Sequence, residues 1–119
     1  MNTPVVHDAR VFVVMDDGKK DLSPALCYGD PVVLFKNSFY PDTANERQNK
    51  VLKHALRVLA DFDEGNDSVL LVGDTVLIAV AFAALTMLGF TKVRMLKYDR
   101  RTLKYYPIEM DFSITLGVV

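Results

Sequence analysis

The run from Ser68 to Tyr98, SVLLVGDTVLIAVAFAALTMLGFTKVRMLKY, constrains the fold of this chain more than any other segment. It reads as a strand, a tight turn, a helix that is apolar on nearly every face, and a second strand. A helix without a polar face must be covered on most sides, so the segment belongs in the middle of a core. Its only polar break is Gly73-Asp74-Thr75. That break divides the stretch Val69–Phe90, long enough to tempt a membrane-span reading, into a strand-length and a helix-length piece. Asp74 would also sit well inside the hydrocarbon, so we read a buried strand–helix–strand unit and expect no membrane association.

The flanking segments continue the alternation. Arg10–Met15 (RVFVVM) is a β-branched, apolar strand that stops at Asp16-Asp17-Gly18. Ser23-Pro24 starts a short helical turn, with serine as cap and proline at the first helical position. Val32–Phe35 is a second buried strand. Thr43-Ala44-Asn45-Glu46 matches a capping box and opens a helix. Val51, Leu52, Ala55, Leu56, Val58, Leu59 and Phe62 form its apolar stripe, and Gly65 is its expected stop. Ser68–Val72 is a strand, Thr75–Leu88 a helix closed by Gly89, and Val93–Tyr98 another strand. Asp99-Arg100-Arg101-Thr102 turns into a returning strand, Leu103–Phe112, where Pro107 argues for an edge position or a bulge. The central β-α-β-α-β order implies parallel strands with right-handed crossovers. The expected fold is a compact Rossmann-like α/β sandwich, with a mostly parallel sheet and an antiparallel C-terminal hairpin at its edge. Several strand orders satisfy these connections.

A chain of 119 residues suits one domain over 1–119. Half of it is hydrophobic, and a domain this small buries only about two-thirds of its unfolded surface. Surplus apolar area then ends in a subunit interface, so a twofold homodimer is expected, with a host or viral protein as a further class of partner. Fourteen basic against fifteen acidic residues advertise neither a nucleic-acid binder nor an acidic mimic. The single cysteine, Cys27, excludes an internal disulfide, is expected to be buried, and fits a reducing cytoplasm. The opening MNTPVVHDAR has no basic region followed by a long apolar core, which also fits the cytoplasm.

Ligands of parallel α/β sheets bind beyond the carboxyl ends of the strands. There the sequence places Lys36, Asn37, Ser38 and Tyr40, then Gly73, Asp74 and Thr75, then Tyr98, Asp99 and Arg100. Ser38, Gly73, Asp74, Thr75 and Arg100 are the candidates for a nucleotide- or phosphate-binding reading. Against it, one glycine falls far short of GxGxxG or a Walker A loop, and Asp74 would repel a phosphate and serves equally as a helix cap. Asp42, Asp74 and Asp99 would be needed for a magnesium site, yet each has a local capping or turn role. His7 and His54 lie in no metal or triad spacing, and His54 is expected on the solvated side of its helix. No cofactor motif or paired acid–base set is present, so a non-enzymatic role is expected. Lys97, Arg100, Arg101 and Lys104, with Tyr98, Tyr105 and Tyr106 among them, carry the one hint of nucleic-acid binding. The same residues also suit a protected sheet edge.

The patterns LLVGDTVLIAVAFAAL and VRMLKYDRRTLKYYPIEMDF, with an opening strand such as Arg10–Met15, resemble small uncharacterised α/β proteins encoded by bacteriophages and some bacteria. The resemblance brings no known activity or catalytic residue. It implies a phage accessory protein acting in the host cytoplasm. The leading expectation is a protein that works by contact with other proteins, through the hairpin, the apolar tail SITLGVV or the apolar helix. If the tail is used, removal of residues 113–119 changes the assembly state seen by light scattering. An unchanged profile excludes the tail.

Overall fold

The computed structural model describes residues 8–37 and 45–113, and within the latter the side chains from residue 49 onward. His7, Ser38, Tyr40, Asp42, the Thr43-Ala44 half of the capping box and residues 114–119 lie outside the described residues. The elements are β1 (Arg10–Met15), a short 3-10 helix (Ser23–Tyr28), β2 (Asp30–Phe35), α1 (Asn45–Leu59), β3 (Ser68–Leu70), α2 (Thr75–Met87), β4 (Lys92–Asp99) and β5 (Lys104–Asp111). The expected α/β sheet is present, with strand order β2-β1-β3-β4-β5. All neighbouring pairs are parallel except β4–β5, which is antiparallel.

The connections explain which face each helix covers. The chain moves one way from β1 to β2 through the 3-10 helix, then the other way from β2 to β3 through α1 and on to β4 through α2. Right-handed crossovers therefore put the 3-10 helix on one face and both α-helices on the other. The core is divided accordingly. Phe12, Val14, Leu34, Val69 and Val93 pack with Ala55 and Leu59 of α1 and Leu77, Ala81 and Leu85 of α2. Val11, Val13, Leu70 and Leu96 meet Ala25, Leu22 and Tyr28 of the 3-10 segment. Full burial of each large side chain contributes about 1.5–3 kcal/mol. On the α-helical face, Phe62 joins Phe12 and Phe90 edge-to-face, at ring separations of 5.5 and 5.3 Å.

Some local expectations are corrected. α1 ends at Leu59 rather than near Gly65, because Phe62 turns back to donate its amide to Leu59 and buries its ring in the core. Ser23 is the first residue of the 3-10 helix and Leu22 its cap position, since Asp21 accepts from the Ser23 amide and hydroxyl. Cys27 is exposed. His54 is half-buried rather than solvated: its Nε2 lies 2.8 Å from the Leu34 carbonyl and its ring packs by Phe35, tying α1 to β2. Pro107 does lie in an edge strand. Phe112 donates to Thr91, so the alternation of the ladder makes Leu96–Pro107 a non-hydrogen-bonded pair. Its missing amide faces the open edge, where it removes a donor from any incoming strand.

The amino end of the sheet is fixed by a buried carboxylate. Asp67 is fully buried and accepts from the Arg10 amide at 2.9 Å, the Arg10 guanidinium at 3.0 Å and the Asp63 amide at 2.9 Å. The same guanidinium donates to the Asp61 carbonyl and stacks 5.1 Å over Phe12. Asp67→Ala leaves the Arg10 side chain without this partner and is expected to lose about 3 kcal/mol of stability, read from the denaturant midpoint. A loss below about 1 kcal/mol, the range of an exposed pair, contradicts the assignment.

Candidate functional site

The carboxyl ends of β1, β3 and β4 form a crevice on the face that carries the 3-10 helix. Its inner part lies between the ends of β1 and β3, where Met15 and Asp16 face Val72, Gly73 and Asp74, and encloses about 270 Å³. This is the point where the chain reverses its direction of travel across the sheet, the usual binding position in such folds. Lys20 and Val72 line both this part and an outer part of about 570 Å³. The outer part is bounded by Leu71, Tyr98, Arg100, Leu103 and Tyr105, with Asp21 and Pro24 from the 3-10 side.

The local structure of the turn accounts for its residues. Gly73 adopts φ +104°, and a Cβ there would overlap the Met15 side chain, so glycine is needed for β1 and the β3–α2 turn to approach. Asp74 caps α2 by accepting from the Val76 amide at 2.8 Å. Thr75 is exposed at the first turn of α2. Arg100 reaches the outer crevice, whereas Gly73 and Asp74 line the inner part. Asp99 accepts from the Arg101 amide and pairs with its side chain at 3.5 Å. Among the described residues, no group of three acidic, histidine or cysteine side chains is arranged to hold a metal ion.

Sequence reasoning missed Lys20, Asp21 and Leu103 as site residues, and noted Tyr105 only among the aromatics of the hairpin. Lys20 and Asp21 follow β1 in a loop that only the fold carries across to β4. Leu103 has one visible signal, its place at a hairpin turn. It adopts φ +58°, the one non-glycine residue with positive φ among those described, and closes the turn by donating to Asp99 at 2.8 Å. A leucine in this region costs about 1–2 kcal/mol relative to glycine, and at 65% exposure it recovers little of that by burial.

The tyrosines form the aromatic wall. Tyr98 and Tyr105 are opposite each other in the ladder and pack edge-to-face at 5.2 Å. The Tyr105 carbonyl, turned away from β4, accepts from the Tyr28 hydroxyl at 3.0 Å. Lys97 and Lys104 project to the other face of the hairpin, paired with Tyr106 and Asp99 in the register, so the four basic candidates divide between that face and the turn. A second hollow, at the amino end of β4, is lined by charges of both signs. Arg94 pairs with Glu109 at 3.2 Å, and Glu64 accepts from the Thr91 and Lys92 amides.

On the α-helical face the hairpin is less well covered. The helices pack principally on β1, on β2 and on each other. Tyr106 and Met110 of β5 remain exposed, and Ile108 and Met95 between them are half-buried. Along α2, Val76, Val80, Ala83 and Met87 recur at helical spacing and form the flank opposite Ile78 and Phe82. Val76 and Met87 are exposed. No described helix is long and apolar enough to cross a membrane.

Burial raises the Tyr105 phenol above its ordinary value of 10.0, helped by Tyr98 and by the Asp21 carboxylate. The folded state therefore favours the neutral phenol. Its contribution to stability is complete below pH 10 and is lost as pH rises through the raised folded value. Unfolding midpoints of wild type should thus fall more steeply above pH 10 than those of Tyr105→Phe. Parallel curves for the two proteins contradict the shift.

Residues 9–112 match the model of a protein family described as Phage Pam3 gp32-like protein, which bears out the resemblance to phage-encoded proteins. No curated protein and no solved structure matches the chain.

Proposed function

Since the chain belongs to the Phage Pam3 gp32-like family, we propose that it is a phage protein that works by protein–protein contact, and that its first partner is a second copy of itself. The observation that carries this reading is the apolar strip of Tyr106, Ile108 and Met110 on the face of β5 that the helices leave open. A small domain that leaves contiguous apolar surface gains by covering it. Edge-to-edge pairing through β5 is opposed by Pro107, so the face is the available route.

A twofold arrangement suits the strip. Its two ends differ: Tyr106 lies toward the carboxyl end of β4 and Met110 toward its amino end. An axis near Ile108 brings Met110 of one copy to the Tyr106 end of its partner. Thioether–aromatic contacts of this kind are each worth about 0.3–1.5 kcal/mol. The contact needs no catalytic residue, which agrees with the lack of any paired acid–base motif in the sequence.

Size-exclusion light scattering at two concentrations is the test. Wild type is expected to run as a dimer at the higher one. Met110→Lys buries an unpaired charge in the contact and shifts the equilibrium to monomer, while its exposed position leaves the monomer folded. Loss of a contact worth about 2 kcal/mol corresponds to a roughly thirtyfold weaker dimer. A wild-type monomer at both concentrations, or a dimer indifferent to Met110→Lys, overturns the reading.

A further inference from the structure

We infer that the outer crevice at the carboxyl ends of β3 and β4 is a binding site for a mononucleotide, its base held against Tyr98 and its phosphate by Lys20 and Arg100. This site is separate from the apolar strip and goes beyond the contact function. The cavity measures about 570 Å³, within the roughly 300–1,000 Å³ of small-molecule sites. It adjoins the topological switch point through Lys20 and Val72. Its floor is apolar, its wall is an aromatic pair, and its rim is cationic, which is the combination that a flat ring bearing an anion requires.

The charges distinguish this crevice from the rest of the edge. Lys20 and Arg100 have no carboxylate partner among the described residues, whereas Arg101 is held by Asp99 and Arg94 by Glu109. Asp21, the acidic group on the outer wall, is engaged by the amide and hydroxyl of Ser23. Those bonds hold its carboxyl below the usual range, so it is charged at neutral pH. Lys20 and Arg100 outweigh it in the outer part, while Asp16, Asp17 and Asp74 make the inner part acidic. A phosphate is thus directed to the outer rim rather than to the α2 N-terminus, which Asp74 already caps. The neutral hydroxyl of Tyr105 offers a donor and an acceptor to the ring.

Leu103 supplies the second, independent observation. Its backbone is held in the left-handed region, and its side chain borders the crevice while remaining largely exposed. A bound ring gives that side chain the burial that it lacks in the free protein. Leucine at this turn is then kept for the ligand and against the stability of the free chain.

Amide NMR on the full-length protein, titrated with the four ribonucleoside 5′-monophosphates, tests the site. At least one is expected to shift the amides of Lys20, Tyr98, Arg100, Leu103 and Tyr105 to saturation. Arg100→Ala should weaken that binding about tenfold, the scale of one charge-assisted contact, while Arg101→Ala leaves it within about twofold. The matching nucleoside should bind equally to wild type and to Arg100→Ala. Leu103→Gly should raise the unfolding midpoint of the free protein and weaken the nucleotide. Absence of saturable shifts at millimolar nucleotide overturns the inference. So do shifts centred on Tyr106 and Met110, or equal losses from Arg100→Ala and Arg101→Ala. Both arginines are exposed, so either variant leaves the fold intact, as its unperturbed distant amides would show.

Discussion

The contact between Arg10 and Asp67 fixes the sheet from which everything else is hung. Asp67 is the last residue before β3, and Arg10 is the first of β1, so the pair sets where the two central strands begin relative to each other. A one-residue slip would turn Phe12 and Val14 from one core layer to the other. The carboxylate is removed from water, and it is tolerated there because backbone amides and a guanidinium replace the lost solvation. Both proposed surfaces are consequences at a distance. The register at the amino end determines which residues meet at the carboxyl end, where Met15 abuts Gly73.

The uneven cover of the two faces follows from the order of crossovers. The chain spends both long helices on one face, over the β2–β1–β3 side, and only one short 3-10 helix on the other. The hairpin is therefore incompletely covered twice over. On the α-helical face this leaves an apolar strip, and on the 3-10 face it leaves a crevice with a cationic rim. The first suits a second protein surface and the second a small planar anion. Strands β4 and β5 separate the two, so they can act independently.

Much of this was legible in the sequence because it is local. The Gly73-Asp74 turn, the cap on α2, the hairpin after Asp99 and the edge position of Pro107 each depend on residues within a few positions of one another. So do the tyrosines and cations of the hairpin as a group. The errors have one form. His54 looks solvated on a helical wheel, yet the Leu34 carbonyl waits beside it in the fold. Phe62 looks like the last position of a helical stripe, but it leaves the helix to complete an aromatic chain with Phe12 and Phe90. Cys27 looks like a buried thiol but sits on the outside of a short 3-10 helix.

By itself the sequence determined the kind and order of the elements, because hydrophobic period, capping and turn chemistry act over a few residues. It also determined that the chain carries more apolar surface than so small a domain hides easily. Only the tertiary structure decided the strand order, since several orders satisfy the same short connections. It alone brought Lys20 to Arg100 and Tyr98, eighty positions along the chain, and separated Tyr98 and Tyr105 from Lys97 and Lys104 onto opposite faces. Those juxtapositions depend on the register and handedness of a whole sheet, which no local pattern encodes.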